Sequence, residues 1–547
     1  MKKLFSLLML GVASLTAQAE DAPYHIIFER DTTVSFTLGD ISLGSRDIHM
    51  VHYEYPSKDV EGNTVNISGS IWVPMNIYDG TDPCDGVVLY NHFTHTKAVE
   101  QPSIKGEEVC NGLMVSPLKP NYILVISDYI GFGSTADRPQ AYLCGETNAR
   151  NSLDGLVAAR QLMTDAQIPQ GKYLFNVGYS QGGTESMFVA KLRDMEYKDR
   201  GITFDKTFAG GGPLDFDKAY TEAVSKQHTS FPVAIALMLV SLNENFNMRL
   251  DYSKVFMEPL ASNIDEWILS KKYGSYDVND KIGVDSLKNF IQPDYLDVNS
   301  QAAMTLREKL KEISLTNGWD PDPAQKYFVQ HSRHDTYVGI QSGRCIVEFM
   351  KNYGFQPSLV PGKTGLQTNL ITFKVDHLIS GAIWGIQTAV ALQLWPVIYY
   401  EGEQNRYYND VVKDLNLLKA IKLFESLGID LRKLINSSDS AAGDTDIWSV
   451  LVQLTSVLET LNLTISDFLE MITDSGITVE DILAAHEYLT ANPEEAGQDA
   501  DSTSASAVLH LMSQYGQTLA SWLLMGGINV EYDKWGWTTR AEEWVTR

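Results

Sequence analysis

The stretch Gly178-Tyr179-Ser180-Gln181-Gly182-Gly183 constrains this chain more than any other. It follows the apolar run Tyr173-Leu174-Phe175-Asn176-Val177 and leads into Gly183, Met187 and Ala190 at helical spacing. A strand that reverses into a helix over so few residues crowds its own backbone, and glycine removes the Cβ atoms that would collide. In that context G-x-S-x-G predicts a sharp turn that presents a nucleophilic serine. The three fixed positions alone recur by chance roughly 0.2 times in a chain of this size. The flanks and the downstream partners therefore carry the weight.

At 547 residues the chain exceeds what one core usually organises, so two units or one heavily decorated fold are expected. A formal charge of −26 repels phosphate backbones and argues against nucleic acid as a partner. Lys2 and Lys3 precede an apolar run from Leu4 to Leu15, and Ala17-Gln18-Ala19 supplies small residues at a cleavage position. This pattern predicts a signal peptide over residues 1–19 and export to the periplasm or beyond the cell. No later apolar run reaches the length of a spanning helix; Phe231 to Leu242 comes nearest. Of the four cysteines, Cys84, Cys110 and Cys144 lie early enough to expect a bridge among them. Cys345 sits in an amphipathic run with Ile346, Phe349, Met350 and Tyr353 and reads as a buried thiol.

Residues from about 22 to 80 alternate in the manner of antiparallel strands, at His25–Phe28, Ile48–Tyr53 and Val65–Val73. The continuous runs Val87–Tyr90 and Tyr122–Ile126 then predict strands buried on both faces. Leu153, Leu156, Val157 and Met163 mark a helix before the serine turn, and Thr207–Ala209, Tyr327–Gln330 and Leu370–Phe373 read as further strands. Such alternation makes an α/β fold with a largely parallel sheet. About 110 residues of mostly helical pattern interrupt it, including Phe231–Val240 and Leu287–Tyr295. A block that long is an inserted cap rather than a connection. The expected organisation is a core over 20–213 and 326–402, a helical cap or lid over 214–325, and a helical C-terminal region over 403–547. That last region carries a weak internal repeat and the tryptophans Trp522, Trp535, Trp537 and Trp544.

A serine hydroxyl needs a base within hydrogen-bond reach, and the base needs an orienting carboxylate. In the chain order Ser…Asp…His, the acid follows a late strand and the histidine follows the last one. Asp335 follows the strand Tyr327–Gln330, and His377 follows Leu370–Phe373 and opens a long helix to Leu394. The expected roles are Ser180 as nucleophile, His377 as general base and then acid, and Asp335 as orienting anion. His331 and His334 are rivals to His377, but one loop earlier they would crowd Asp335. Asp376 competes with Asp335, though its adjacency to His377 makes a hydrogen bond to Nδ1 awkward. The oxyanion donors expected are the backbone N–H of Gln181, at a helix start, and one from the loop Tyr90-Asn91-His92-Phe93-Thr94, either Phe93 or Thr94.

Together these pieces resemble the α/β-hydrolases, most closely their secretory lipase and esterase branch. The resemblance rests on Tyr90–Thr94, on Ser127-Asp128-Tyr129-Ile130-Gly131-Phe132-Gly133, on the serine turn, on the H-x-x-x-D loop from His331 to Asp335, and on His377. It spans residues 45 to 400 or so. Relatives usually have H-G where this chain has His92-Phe93, and a Phe there would narrow the acyl site. The resemblance implies an esterase without metal or cofactor; the residues alone imply acyl transfer through Ser180. The leading expectation is hydrolysis of a small-molecule carboxylic ester bearing a hydrophobic group. The alternatives are a peptidase acting on short peptides and a non-catalytic binding protein on the same scaffold.

Overall fold

Strands whose side chains are apolar at every position must be covered on both faces, and that requirement organises this molecule. The structure, a computed structural model, describes residues 23–398 apart from 39, 40, 106, 107, 116–120, 356, 359–364 and 372–375. The segment expected to be a signal peptide and the region expected to be helical over 403–547 lie outside the described residues. The strands are β1 (His25–Leu38), β2 (Ile41–Lys58), β3 (Thr64–Pro74), β4 (Gly86–Asn91), β5 (Tyr122–Ser127), β6 (Tyr173–Tyr179), β7 (Lys206–Gly210), β8 (Tyr327–Ser332), β9 (Pro357–Ser358) and β10 (Leu366–Ile371). They form a 10-stranded sheet in the order β1-β2-β3-β5-β4-β6-β7-β8-β10-β9. β1, β2 and β3 pair antiparallel, β3 joins β5 antiparallel, and the remaining pairings are parallel.

Helices of eight or more residues are numbered α1 (Glu108–Val115), α2 (Gly145–Asp165), α3 (Gln181–Leu192), α4 (Phe216–Lys226), α5 (Pro232–Phe246), α6 (Ser275–Ile282), α7 (Gln301–Ile313), α8 (Gln341–Asn352) and α9 (His377–Ile398). In β4, Val87 and Leu89 join the core on one face with Leu153 and Leu156 of α2, Met187 of α3 and the apolar side of the β7–β8 insertion. Val88 and Tyr90 point the other way, to Phe175, Val177, Phe208, Phe328 and Trp384. That two-residue alternation between two cores is why the run carries no polar position.

After β4 the chain goes first to β5 on one side and then to β6 on the other. The loops leaving β4 and β6 therefore meet above the carboxyl ends of adjacent strands, where open α/β sheets bind their ligands.

Between β7 and β8 the chain builds α4, α5, α6 and α7. Pro232 stands at the first turn of α5, where its missing N–H costs no helical bond. Lys271 fastens this insertion to the sheet end: its Nζ donates to the carbonyls of Gly131, Ala136 and Arg138 at 2.8, 2.5 and 2.6 Å. The Ala98 N–H returns a bond to the Lys271 carbonyl at 2.9 Å. Arg307 of α7 pairs with Asp217 of α4 at 2.7 Å.

Three local expectations are corrected. The run Leu287–Tyr295 is not a helix but two single 3₁₀ turns, Leu287–Asn289 and Pro293–Tyr295, because Ile291 between them bridges to Phe256. The last long strand begins at Leu366, four residues before the expected Leu370, its register set by β8 from Leu366 opposite Tyr327 to Ile371 opposite Ser332; residues 372 and 373 of the expected strand lie outside the described residues. No disulfide joins Cys84, Cys110 or Cys144, and Cys345 is half-buried rather than buried. The sheet itself separates Cys110 from the other two. Cys84 precedes β4, Cys110 packs in the core beneath one face, and Cys144 packs in the core on the other, its Sγ 3.7 Å from Ser241 Oγ.

Candidate active site

β6 ends at Tyr179, and Ser180 takes φ 58° and ψ −125° before α3 begins at Gln181. A non-glycine residue at such angles costs on the order of 1–3 kcal/mol and persists only where its surroundings hold it. Here the Ser180 N–H donates to the Gly210 carbonyl at 2.8 Å, and the Ser180 carbonyl accepts from Gly183 N–H at 2.9 Å. The glycines of the motif permit the turn. A Cβ on Gly178 would lie 2.2 Å from the Gly182 carbonyl oxygen, and one on Gly182 would lie 2.0 Å from that of Asn91. The second contact presses the loop after β4 against the start of α3.

Two asparagines hold that loop from below. Asn91 Nδ2 donates to Asn176 Oδ1 at 2.8 Å and to Ser186 Oγ at 3.0 Å, and Asn91 Oδ1 accepts from Ser152 Oγ at 3.0 Å. Asn176 donates in turn to the Ser186 carbonyl at 2.7 Å. β4, β6, α2 and α3 are thus tied together by one buried polar network directly under the serine.

The structure brings the three side chains of the sequence assignment into one row. His377 Nε2 lies 2.9 Å from Ser180 Oγ, and His377 Nδ1 lies 2.6 Å from Asp335 Oδ2. Asp335 Oδ1 accepts from the N–H groups of Tyr337 and Val338, both at 2.8 Å. Burial alone would raise the Asp335 carboxyl, but the neighbouring His377 and His331 and the Val338 N–H outweigh it and hold it below its ordinary range. An ionised Asp335 only accepts, so His377 carries its proton on Nδ1 and offers Nε2 to the serine hydroxyl. Asp335 and His377 are buried and Ser180 is half-buried.

The rival residues are placed elsewhere. Asp376 caps α9, its Oδ1 accepting from the Ile379 N–H at 2.9 Å. His331 Nε2 donates to the Val338 carbonyl at 2.9 Å and stands 3.8 Å from Asp335. Burial pushes its imidazole below the ordinary value, against the pull of Asp335. His334 is exposed.

A cavity of about 350 Å³ opens onto Ser180, Gln181 and Thr94. Its opposite wall comes from the insertion, with Tyr220 and Val224 of α4 and Ile235 and Met238 of α5. Thr94 is buried, with Oγ1 3.2 Å from the Tyr142 hydroxyl. The Phe93 ring does not line the cavity, contrary to the expectation that it narrows an acyl site; it stacks on His95 at 5.0 Å. That leaves Thr94, at the cavity wall, better placed than Phe93 to face a bound group.

Sequence reasoning missed two tyrosines. The Tyr179 hydroxyl donates to the His377 carbonyl at 2.7 Å, and the Tyr337 ring stacks on the His377 imidazole at 4.8 Å. Tyr179 lay inside the motif and Tyr337 two residues after Asp335, but neither spacing announces a contact with a helix so far along the chain. Glu185 was missed as well. It is fully buried in α3, one turn below Gln181, and accepts from Asn148 Nδ2 at 2.9 Å. Burial pushes its carboxyl up to about 8, although hydrogen bonds from Asn148 and Gln181 draw it back down.

No family model matches the chain, and no curated protein sequence matches it. Among solved structures the fold is similar to a protein of Legionella pneumophila provisionally described as a hydrolase, with 16% identity over 69% of this chain and 99% of that one and a TM-score of 0.57. It is also similar to the rice cell wall degrading esterase LipA of Xanthomonas oryzae, with 17% identity over 68% of this chain and 96% of that one and a TM-score of 0.53. The chain has the α/β-hydrolase fold. Among the described residues no helix is long and apolar enough to cross a membrane.

Proposed function

We propose that this chain is a serine hydrolase that cleaves carboxylic esters through an acyl-enzyme, with Ser180 as nucleophile, His377 as general base and acid, and Asp335 as the orienting anion. The observation that carries the reading is the unbroken hydrogen-bonded row Ser180–His377–Asp335 at the floor of an apolar cavity. The esterase named among the structural neighbours agrees with it.

In this reading Ser180 Oγ attacks the acyl carbonyl as His377 Nε2 takes its proton. Asp335, held by two backbone N–H groups, stabilises the imidazolium that forms. The oxyanion is received by the N–H of Gln181, at the positive end of α3, and by the N–H of Thr94; one such donor is worth about 3 kcal/mol. His377 then protonates the departing alkoxide. Water then attacks the acyl carbon as it gives a proton to the same nitrogen, the bond to Ser180 Oγ breaks, and the proton passes back to Ser180 as the acid leaves. Residues 214–325 serve as the cap, and the apolar wall they present favours an ester with a hydrophobic acyl or alcohol group.

The test is hydrolysis of p-nitrophenyl esters beside aminoacyl anilides, with Ser180→Ala as control. Ester cleavage lost in the variant is expected. Cleavage of the anilides alone would make the protein a peptidase, and cleavage of neither would leave a binding protein.

A further inference from the structure

Two hydrogen bonds fix the His377 imidazole at its two nitrogens, yet a ring held at two points still rocks about the line joining them. Its faces must therefore be held separately. Tyr179 lies against it at 5.1 Å and is tilted by 47°, whereas Tyr337 stacks at 4.8 Å with only 18° between planes. The Tyr337 ring stacks in turn on Phe231, at 4.5 Å and 1°. Phe231 is the residue before α5, and it meets Tyr276 at the surface edge-on at 6.0 Å. A second contact runs beside the rings, from the Ser230 N–H to the Thr336 carbonyl at 3.2 Å.

Tyr337 thus touches three parts of the molecule at once. Its N–H holds Asp335, its ring covers His377, and the same ring receives Phe231 from the insertion. We propose that Tyr337 is a positioning residue that transmits the seating of the insertion to the base, so that His377 is aligned for proton transfer while Phe231 is docked. The proposal rests on the reading of His377 as general base. A π-face against the ring also favours the imidazolium over the neutral form as the proton arrives. The phenol hydroxyl bonds Tyr276 of the insertion, but it is the ring that covers the imidazole face.

Tyr337 and Phe231 also line the cavity, so the experiment must separate alignment from substrate contact. kcat and KM are measured for Tyr337→Leu, Tyr337→Phe and Phe231→Leu on p-nitrophenyl acetate and p-nitrophenyl octanoate, beside wild type and Ser180→Ala. Tyr337→Leu is expected to lower kcat roughly tenfold by the same factor on both esters, with KM within about twofold. Tyr337→Phe, which keeps the ring, is expected to recover most of the kcat that Tyr337→Leu loses. Phe231→Leu, which leaves the loop of Asp335 untouched, is expected to lower kcat about threefold on the acetate and carries the test if Tyr337→Leu does not fold. A loss confined to KM on the octanoate, or an unchanged kcat on the acetate, would make both rings cavity wall only and overturn the proposal. Ester hydrolysis surviving in Ser180→Ala would instead overturn the reading of the site itself.

Discussion

The Tyr179 hydroxyl donates to the main-chain carbonyl of His377 at 2.7 Å, so the residue before the candidate nucleophile anchors the residue that carries the candidate base. The two ends of the site are joined by backbone as well as by the row of side chains. Tyr179→Phe removes this buried bond together with the hydrogen bond between the same hydroxyl and Ser380, and little volume. It is expected to cost about 1 kcal/mol in urea unfolding, with kcat lowered severalfold.

Gly182 is the point where α3 and the loop after β4 touch. Gly182→Ala places a methyl 2.0 Å from the Asn91 carbonyl oxygen, and backbone cannot rotate away as a side chain can. Destabilisation of about 1–3 kcal/mol is expected, with activity falling by more than the folded fraction does. Thermal unfolding read beside active-site titration checks both halves.

Asp335→Asn keeps the shape of the acid but removes the acceptor that sets the histidine tautomer. A loss of about 10⁴ in kcat is the expected result. The same variant tests stability. Because the folded carboxyl is held below its unfolded value, Asp335 contributes stability that is fully present above about pH 4 and is lost as pH falls through the lower folded value. Urea unfolding of wild type is therefore expected to weaken more steeply than that of the variant as pH is lowered from 5 toward 3.

Glu185 has the opposite sign. Its folded carboxyl is pushed up to about 8, chiefly by burial, so between the unfolded value near 4.3 and about 8 the folded protein keeps a proton that the unfolded chain releases. Stability must then fall as pH rises through that window. Glu185→Gln is expected to flatten this slope, gaining on the order of a few kcal/mol over wild type at pH 8 and little at pH 4. Unfolding midpoints at the two pH values decide it.

The cavity sets a length limit. At about 350 Å³ it is roughly twice the volume that holds one benzene, space for about twelve heavy atoms. Each added methylene of the substrate is worth about 0.8 kcal/mol until that space is filled, so kcat/KM should climb about fourfold per carbon and then level off. Ala223→Phe, on the α4 wall, is expected to move the plateau to shorter esters while leaving the acetate unchanged.

Much of this was legible in the residues because the constraints were local. A strand buried on both faces has to be continuously apolar, and Val87–Tyr90 and Tyr122–Ile126 are. A turn as tight as that at Ser180 has to be flanked by glycine, and the contacts of Gly178 and Gly182 show why. Asp376, a competitor of Asp335 whose adjacency to His377 makes a bond to Nδ1 awkward, accepts from the Ile379 N–H at the start of α9. What could not be read was long-range. The stack of Phe231 on Tyr337 joins segments over a hundred positions apart, and Cys110 is kept from Cys84 and Cys144 by a sheet that no spacing reveals. The run Leu287–Tyr295 misled because apolar residues at near-helical intervals also suit two 3₁₀ turns about a single bridge.

The most direct test is intact-mass analysis after exposure to a fluorophosphonate, followed by peptide mapping. One phosphonyl group is expected, carried on the peptide that contains Ser180. It should be absent from Ser180→Ala and slowed at least a hundredfold in His377→Ala. An adduct at another serine, or equal labelling without His377, would contradict the assignment of Ser180 as a nucleophile activated by His377.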